Sequence, residues 1–166
     1  LYVGTSDGLY KSVNAGETFE QISVLNFRDF KFKPGNSSVI YAYNRGTLVI
    51  VPNDAFYFKD DFYKSENAGE SFELISSGIP ASGIRRMIIA VTPQDPELVY
   101  LLVADSTNNY QGVYRSTNSG NDFTLINNDQ SNISFGGQSW YDLVFGVDPL
   151  NNNTIYIGAI KLFKST

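Results

Sequence analysis

Two groups of residues in this 166-residue chain have types and spacings that could do chemistry. The first is written three times: Ser12, Asn14, Gly16 and Phe19, then Ser65, Asn67, Gly69 and Phe72, then Ser116, Asn118, Gly120 and Phe123. A recurring serine invites a nucleophile or ligand reading, yet the chain contains no His and no Cys. That excludes a Ser-His-Asp triad, a thiolate nucleophile and a thiolate or imidazole zinc site. What remains for such a turn is backbone capping, in which the Asn side chain bonds nearby N–H groups and Gly supplies positive φ. The second group is not repeated: Arg28 and Asp29, Arg85 and Arg86, Tyr110, then Trp140, Tyr141 and Asp142. Guanidinium, carboxylate and aromatic side chains can orient a polar ligand and stack on a sugar ring. Two carboxyls about 5–9.5 Å apart could also hydrolyse a glycosidic bond. Calcium is the remaining ion candidate, through DSTNN (105–109) and NNDQSN (127–132), although neither has the dense spaced carboxylates of a calcium loop. No other metal or cofactor is expected.

The elements that must position these residues follow from the repeat. Ser12, Ser65, Ser116 and Ser165 stand 53, 51 and 49 residues apart. A proline followed seven residues later by tyrosine keeps the same rhythm, at Pro34/Tyr41, Pro93/Tyr100 and Pro149/Tyr156. Each unit reads as four short strands. The first (RDFKFKP, RRMIIAVTP, YDLVFGVDP) ends at the proline, where a missing N–H does no harm to a ladder. A turn rich in Gly, Asn and Asp leads to the second (SVIYAY, ELVYLLV, TIYIGA), and a loop of variable length to the third (DFYKS, GVYRS, KLFKS). The repeated turn then delivers the fourth (ETFEQI, ESFELI, NDFTLI), its aromatic turned inward. No stretch keeps a helical period.

Four-stranded units of about 50 residues predict an all-β fold, a β-propeller of antiparallel blades. The phase divides the chain into the end of one blade (1–26), two blades (27–78 and 79–133) and the start of another (134–166). About three blades' worth of strands cannot close a ring, so a fragment of a larger propeller is expected. Its open sheet faces would be covered by the remaining blades of a parent chain or by other subunits.

Composition agrees: 42% hydrophobic residues, with 12 Phe and 11 Tyr against one Met and one Trp, suit strands. The net charge of −5 leaves no basic run longer than Arg85-Arg86, which argues against a nucleic-acid partner. No apolar stretch approaches 18 residues, so no membrane-spanning helix is expected.

The repeated Ser-x-Asn-x-Gly-x-Thr-Phe resembles the Asp-box, or bacterial neuraminidase repeat, usually Ser-x-Asp-x-Gly-x-Thr-Trp. Asn stands for Asp and Phe for Trp in all three copies, and Ser71 and Asp122 replace the threonine found at Thr18. Proteins with this repeat include sialidases, xyloglucan-cleaving glycoside hydrolases, sortilin-type receptors and photosystem assembly factors. In texture the chain is similar to large exported propeller proteins of Bacteroidetes-like bacteria. The resemblance implies a secreted or cell-surface protein whose boxes are structural and lie on the face away from any active site. Sialidase chemistry would need an arginine triad, a Tyr–Glu pair and an acid. The chain has five arginines, and Phe27-Arg28-Asp29-Phe30 departs from the Phe-Arg-Ile-Pro motif after two residues. Most glutamates (Glu17, Glu20, Glu66, Glu70, Glu73) belong to the repeated turns.

Function is therefore expected at the opposite mouth, among the unequal loops. These are SVLNFRD, SSGIPASGIRR and NNDQSNISFGGQSWYD, with ADSTNNYQG and an insertion, NRGTLVIVPNDAFYFKDD, expected to form its own hairpin. Arg86 and Asp142 both stand seven residues before their proline, so adjacent blades would set them side by side. They form either a structural bridge or a ligand-orienting pair, with Trp140 or Tyr110 as a stacking platform. Asp29 and Asp142 are the carboxylate candidates. Two functions stay open: non-catalytic recognition of a protein or glycan, and a piece of a sialidase- or xyloglucanase-like hydrolase whose catalytic residues lie partly elsewhere.

Overall fold

A computed structural model describes residues 1–46, 48–50 and 56–165, with 48–50 and 56–58 described by backbone pairing alone. Among these residues there are sixteen strands and no helix. The first sheet joins β1 (Tyr2–Thr5), β2 (Gly8–Lys11) and β3 (Glu20–Ser23). The second runs β4 (Phe27–Lys33), β5 (Asn36–Asn44), β8 (Asp61–Ser65), β9 (Glu73–Ile75). The third runs β10 (Ile84–Val91), β11 (Val99–Asp105), β12 (Tyr110–Ser116), β13 (Thr124–Asn127), and the last β14 (Val144–Val147), β15 (Ile155–Gly158), β16 (Leu162–Lys164). All pairings are antiparallel. The insertion forms its own hairpin, β6 (Leu48–Ile50) with β7 (Phe56–Phe58), in register Leu48↔Phe58. Thr47 and residues 51–55 of that insertion lie outside the described residues, as does Thr166.

The sheets stack face to face in chain order, with one apolar core between each successive pair. Leu9, Phe27 and Ala42 join the first two sheets, with Tyr2, Ile22 and Phe72 packed against them. Tyr41, Phe62, Ile89, Leu101 and Phe123 lie between the second and third. Tyr100, Leu102, Phe135, Phe145 and Ile157 lie between the third and fourth. The first strands β4, β10 and β14 adjoin one another, which is the arrangement of propeller blades around an axis. The central strands β5 and β11 are buried on both faces, so their sequences SVIYAY and VYLLVA are almost continuously apolar.

Each repeated turn is closed by its own side chains. The Ser12 hydroxyl donates to Asn14 Oδ1 at 2.9 Å and accepts from the Gly16 N–H at 2.8 Å, while Asn14 Oδ1 accepts from the Thr18 N–H at 3.0 Å. Ser65/Asn67 and Ser116/Asn118 repeat these bonds. The amide Nδ2 of each Asn donates to Thr18 Oγ1, Ser71 Oγ and Asp122 Oδ2 at 3.0, 2.9 and 2.6 Å, and opposite the Asp122 carboxylate an Asp could not do so. Two successive residues then take positive φ, Ala15 and Gly16, Ala68 and Gly69, Ser119 and Gly120. Gly69 and Gly120 are needed twice over, because a Cβ there would stand 2.7 Å from Ile22 and 3.2 Å from Tyr41 of the preceding sheet.

That contact corrects one expectation. The aromatic after the turn is buried only where a preceding sheet exists to receive it. Phe123 packs edge-on to Phe62 of the preceding sheet, centroids 5.1 Å apart, whereas Phe72 is half-buried at the core between the first two sheets, 4.6 Å from Phe27 of its own sheet. Phe19 has no sheet before it in this chain and is 44% exposed. The tyrosines of the second strands reach the other way: Tyr2 donates to Ala68 O at 2.9 Å and Tyr100 to Asn152 O at 2.8 Å, each on the next sheet. Tyr156, on the last sheet, turns back to Asp148 of its own sheet at 3.3 Å. Lys33 adds a further tie, bonding Glu97 at 2.5 Å and Ser119 at 2.6 Å on the third sheet.

Two stability outcomes follow, both readable by urea denaturation. Phe123→Ala should cost about 3–5 kcal/mol through its cavity, and Phe19→Ala within about 0.5 kcal/mol. Asn118→Asp should cost about 1–2 kcal/mol by setting a second carboxylate against Asp122, whereas Asn67→Asp, facing the Ser71 hydroxyl, should be close to neutral. Restoring stability to Asn118→Asp by adding Asp122→Thr would confirm the cause.

Candidate functional site

Antiparallel alternation sends the repeated turns and the proline turns to one end of the stack, as the bonds from Lys33 and from Ser119 N to Glu97 O (2.9 Å) confirm. The loops entering β4, β10 and β14 gather at the other end. There a cavity of about 650 Å³ is lined by Arg28, Asp29, Tyr43, Arg45, Arg85, Arg86, Trp140 and Tyr141, among others. Six of the eight residues singled out from sequence thus share one cavity wall, drawn from three successive sheets.

Arg28 and Asp29 lie within β4 and Arg85 and Arg86 within β10. Trp140, Tyr141 and Asp142 do not open the inner strand, as their sequence position suggests; they form the turn before it, and β14 starts at Val144. Gly136 and Gly137 take positive φ there, and the Tyr141 and Asp142 N–H groups close on Gln138 O at 3.1 and 3.3 Å. Phe135, fully buried edge-on to Tyr110, anchors this segment between the third and fourth sheets. The turn holds Trp140 against Tyr141 with centroids 4.3 Å apart, and the two residues remain 54% and 50% exposed.

Tyr110 is not with them. It is 1% exposed, its ring lies on Phe135, and its hydroxyl donates to Asn127 Oδ1 at 2.7 Å. At the start of β12 its side chain points into the core between two sheets rather than toward the mouth, so it offers no free face to a sugar.

The carboxylates are differently engaged. Asp29 Oδ2 accepts from the Ile89 N–H of β10 at 2.8 Å, and Oδ1 takes Lys31 Nζ at 2.5 Å. It pins two inner strands together. Asp142 forms no ion pair with Arg86, although its charge favours the protonated guanidinium from a distance. Arg86 instead donates to Ser139 O at 3.5 Å, which ties β10 to the Trp140 turn. Burial lowers the proton affinity of Arg86, and neighbouring Arg28 adds to that. Arg45 is lowered by burial and by the charges of Arg85 and Arg28.

Asp60 escapes sequence reasoning altogether. It ends the insertion and is 7% exposed, beside Tyr43, Arg45 and Arg85. Burial pushes its carboxyl up to about 7, with Asp61 adding to the rise, while the Tyr43 hydroxyl, Arg45 and Arg85 oppose it. Burial and the Asp60 charge likewise push the Tyr43 phenol up. The only sequence signal was an acid pair, Asp60-Asp61, closing an insertion. In the two calcium candidates, Asp105 Oδ1 accepts from the N–H groups of Thr107 and Asn109, both at 2.9 Å, and Asp129 Oδ1 from Ser131 N–H at 2.9 Å. These carboxylates cap their own turns, and no cluster of three acidic residues occurs among the described residues.

No family model and no curated protein matches the chain. Among solved structures, the GH74 xyloglucanase from Xanthomonas campestris is similar at TM-score 0.68 and 20% identity, over 99% of this chain and 25% of its own. The Niastella koreensis GH74 enzyme matches at 0.63 and 19%, over 98% and 26%. An ancestral GH74 enzyme matches at 0.60 and 18%, over 99% and 24%. The chain therefore has the fold of a β-propeller segment and spans about a quarter of the length of those enzymes.

Asp60 makes stability depend on pH in a specific direction. Its folded value of about 7 exceeds the unfolded 3.8, so folding favours the protonated form. The contribution of Asp60 to stability should be greatest below about pH 4, fall up to about pH 7 and level off above it, with an upper bound near 4 kcal/mol for the loss. Asp60→Asn should flatten that slope when denaturation midpoints are compared from pH 4 to pH 8.

Proposed function

We propose that this chain is part of a glycan-recognising propeller of the glycoside hydrolase type, in which it forms one wall of the binding cleft. The observation that carries this reading is the half-exposed Trp140–Tyr141 pair standing over a polar cavity at the mouth of the inner strands. A sugar ring presents C–H groups to an aromatic face and hydroxyls to surrounding polar groups, and this wall offers both. The likeness to GH74 structures, one of them a xyloglucanase, points the same way.

The wall is equipped to bind rather than to cleave. Hydrolysis needs two carboxyls about 5–9.5 Å apart across the sugar. Asp29 is committed to Ile89 and Lys31, Asp60 is buried beside Tyr43, and Asp142 is not among the residues lining the cavity. A complete reacting pair would draw on blades beyond this chain. Under the same reading the repeated turns are Asp-box fasteners and the blades divide at 26/27, 78/79 and 133/134. The exposed apolar faces around Val3 and Phe19 on the first sheet, and Val144 and Leu162 on the last, receive further blades or subunits. The parent protein is secreted or displayed at the cell surface.

Trp140 is the chain's single tryptophan, so its fluorescence reports the cleft directly. Titrating the chain with a panel of neutral and acidic oligosaccharides should change that emission saturably for at least one member. Tyr141→Ala should weaken the response about tenfold, as expected for loss of one stacking ring. A panel that leaves Trp140 emission unchanged, together with capture of a folded protein partner at this mouth, would replace glycan recognition by a protein-binding scaffold.

A further inference from the structure

The cavity contains far more positive charge than a neutral sugar requires. The chain has five arginines, and four of them, Arg28, Arg45, Arg85 and Arg86, line this one cavity in a protein of net charge −5. Three ion pairs are made by lysines: Lys31 with Asp29, Lys33 with Glu97, Lys64 with Glu66. Among the described residues, Arg28, Arg85 and Arg86 form no ion pair with a carboxylate, and Asp60 acts on Arg85 only at longer range. Asp29 is already taken by Lys31 and by the Ile89 N–H, and Asp142 acts on Arg86 only at longer range. Clustered guanidiniums on two adjoining strands repel one another, and partial burial costs each of them hydration. An arrangement of that kind is favourable once an oxyanion enters, because planar guanidiniums bind carboxylate and sulfate through paired, charge-assisted hydrogen bonds.

We propose that this cavity binds an oxyanion carried on a saccharide, held by the guanidiniums of Arg28, Arg85 and Arg86, with the sugar ring against Trp140 and Tyr141. The inference rests on the glycan reading above and narrows it to acidic glycans, either uronate or sulfate ester. The bond from Arg86 to Ser139 O, one residue before Trp140, couples the charged part of the site to the stacking part. A volume of about 650 Å³ lies within the range of small-ligand sites.

The test uses Trp140 emission with four probes: a galacturonic acid trisaccharide, a sulfated galactan oligosaccharide, an uncharged xyloglucan heptasaccharide and inorganic sulfate. One acidic saccharide should bind about tenfold or more tightly than the uncharged one, with affinity falling as salt rises. Arg85→Gln and Arg86→Gln should each weaken the acidic ligand about tenfold and the uncharged one by much less, and Arg85→Lys should recover part of the loss. Whichever acidic probe prevails identifies the oxyanion. If Arg86→Gln unfolds through loss of its Ser139 bond, Arg85→Gln carries the comparison, since Arg85 anchors no backbone carbonyl. Equal affinity for the uncharged heptasaccharide, unaffected by the glutamine variants, would overturn the acidic specificity and leave glycan recognition standing. Inorganic sulfate binding as tightly as the saccharides would overturn the sugar component. Silence of Trp140 toward every saccharide would bring down the glycan reading itself.

Discussion

The four main sheets are buried against one another in chain order, and the rest of the structure depends on that contact. Strands such as VYLLVA are apolar on both faces, so no sheet here can stand alone in water. The repeated turn fastens the first two of these interfaces. Its Ser and Asn close the loop internally, two positive-φ residues tighten it, and the following Phe is driven into the preceding sheet. Burying one such ring contributes about 1.5–3 kcal/mol. Tyr2 and Tyr100 reach forward to complete the tie from the other side. The ends show the rule by exception: Phe19 is exposed and Tyr156 folds back on its own sheet, since no further described sheet lies against either.

Committing one end of the stack to fastening leaves the other end free to vary. Antiparallel alternation separates them: the repeated turns at 65–72 and 116–123 cannot change without loosening an interface, whereas the loops entering β4, β10 and β14 can. Charge has accumulated at the free end, with four arginines and a buried acid around one cavity. Asp29 belongs to both worlds, since it lines the cavity while bonding the next inner strand. Its double role explains why a carboxylate in the right neighbourhood is still poorly placed for catalysis.

Much of this was legible beforehand. The threefold motif and the Pro/Tyr rhythm yielded strand count, strand order and the hairpin in the insertion, because each is a local pattern repeated in one dimension. The residues at the inner-strand entrances were also recognisable, since unequal loops on equal scaffolds stand out. Tyr110 was misplaced because strand alternation does not say which of two buried faces a side chain enters. Phe19 was misjudged because its burial depends on a sheet that is not its own. Asp60 gave almost no signal, for an acidic pair at the end of a loop looks the same whether solvated or buried.

By itself, then, the sequence determined the blades: their number of strands, their phase and the chemistry of their turns, all set by interactions among residues a few positions apart. The tertiary structure decided the site. Arg28, Arg85 and Trp140 are separated by more than fifty residues at each step, and only the radial packing of inner strands brings them to one cavity. Whether a carboxylate faces ligand, backbone or core is likewise a property of the neighbouring sheet, which no local pattern encodes.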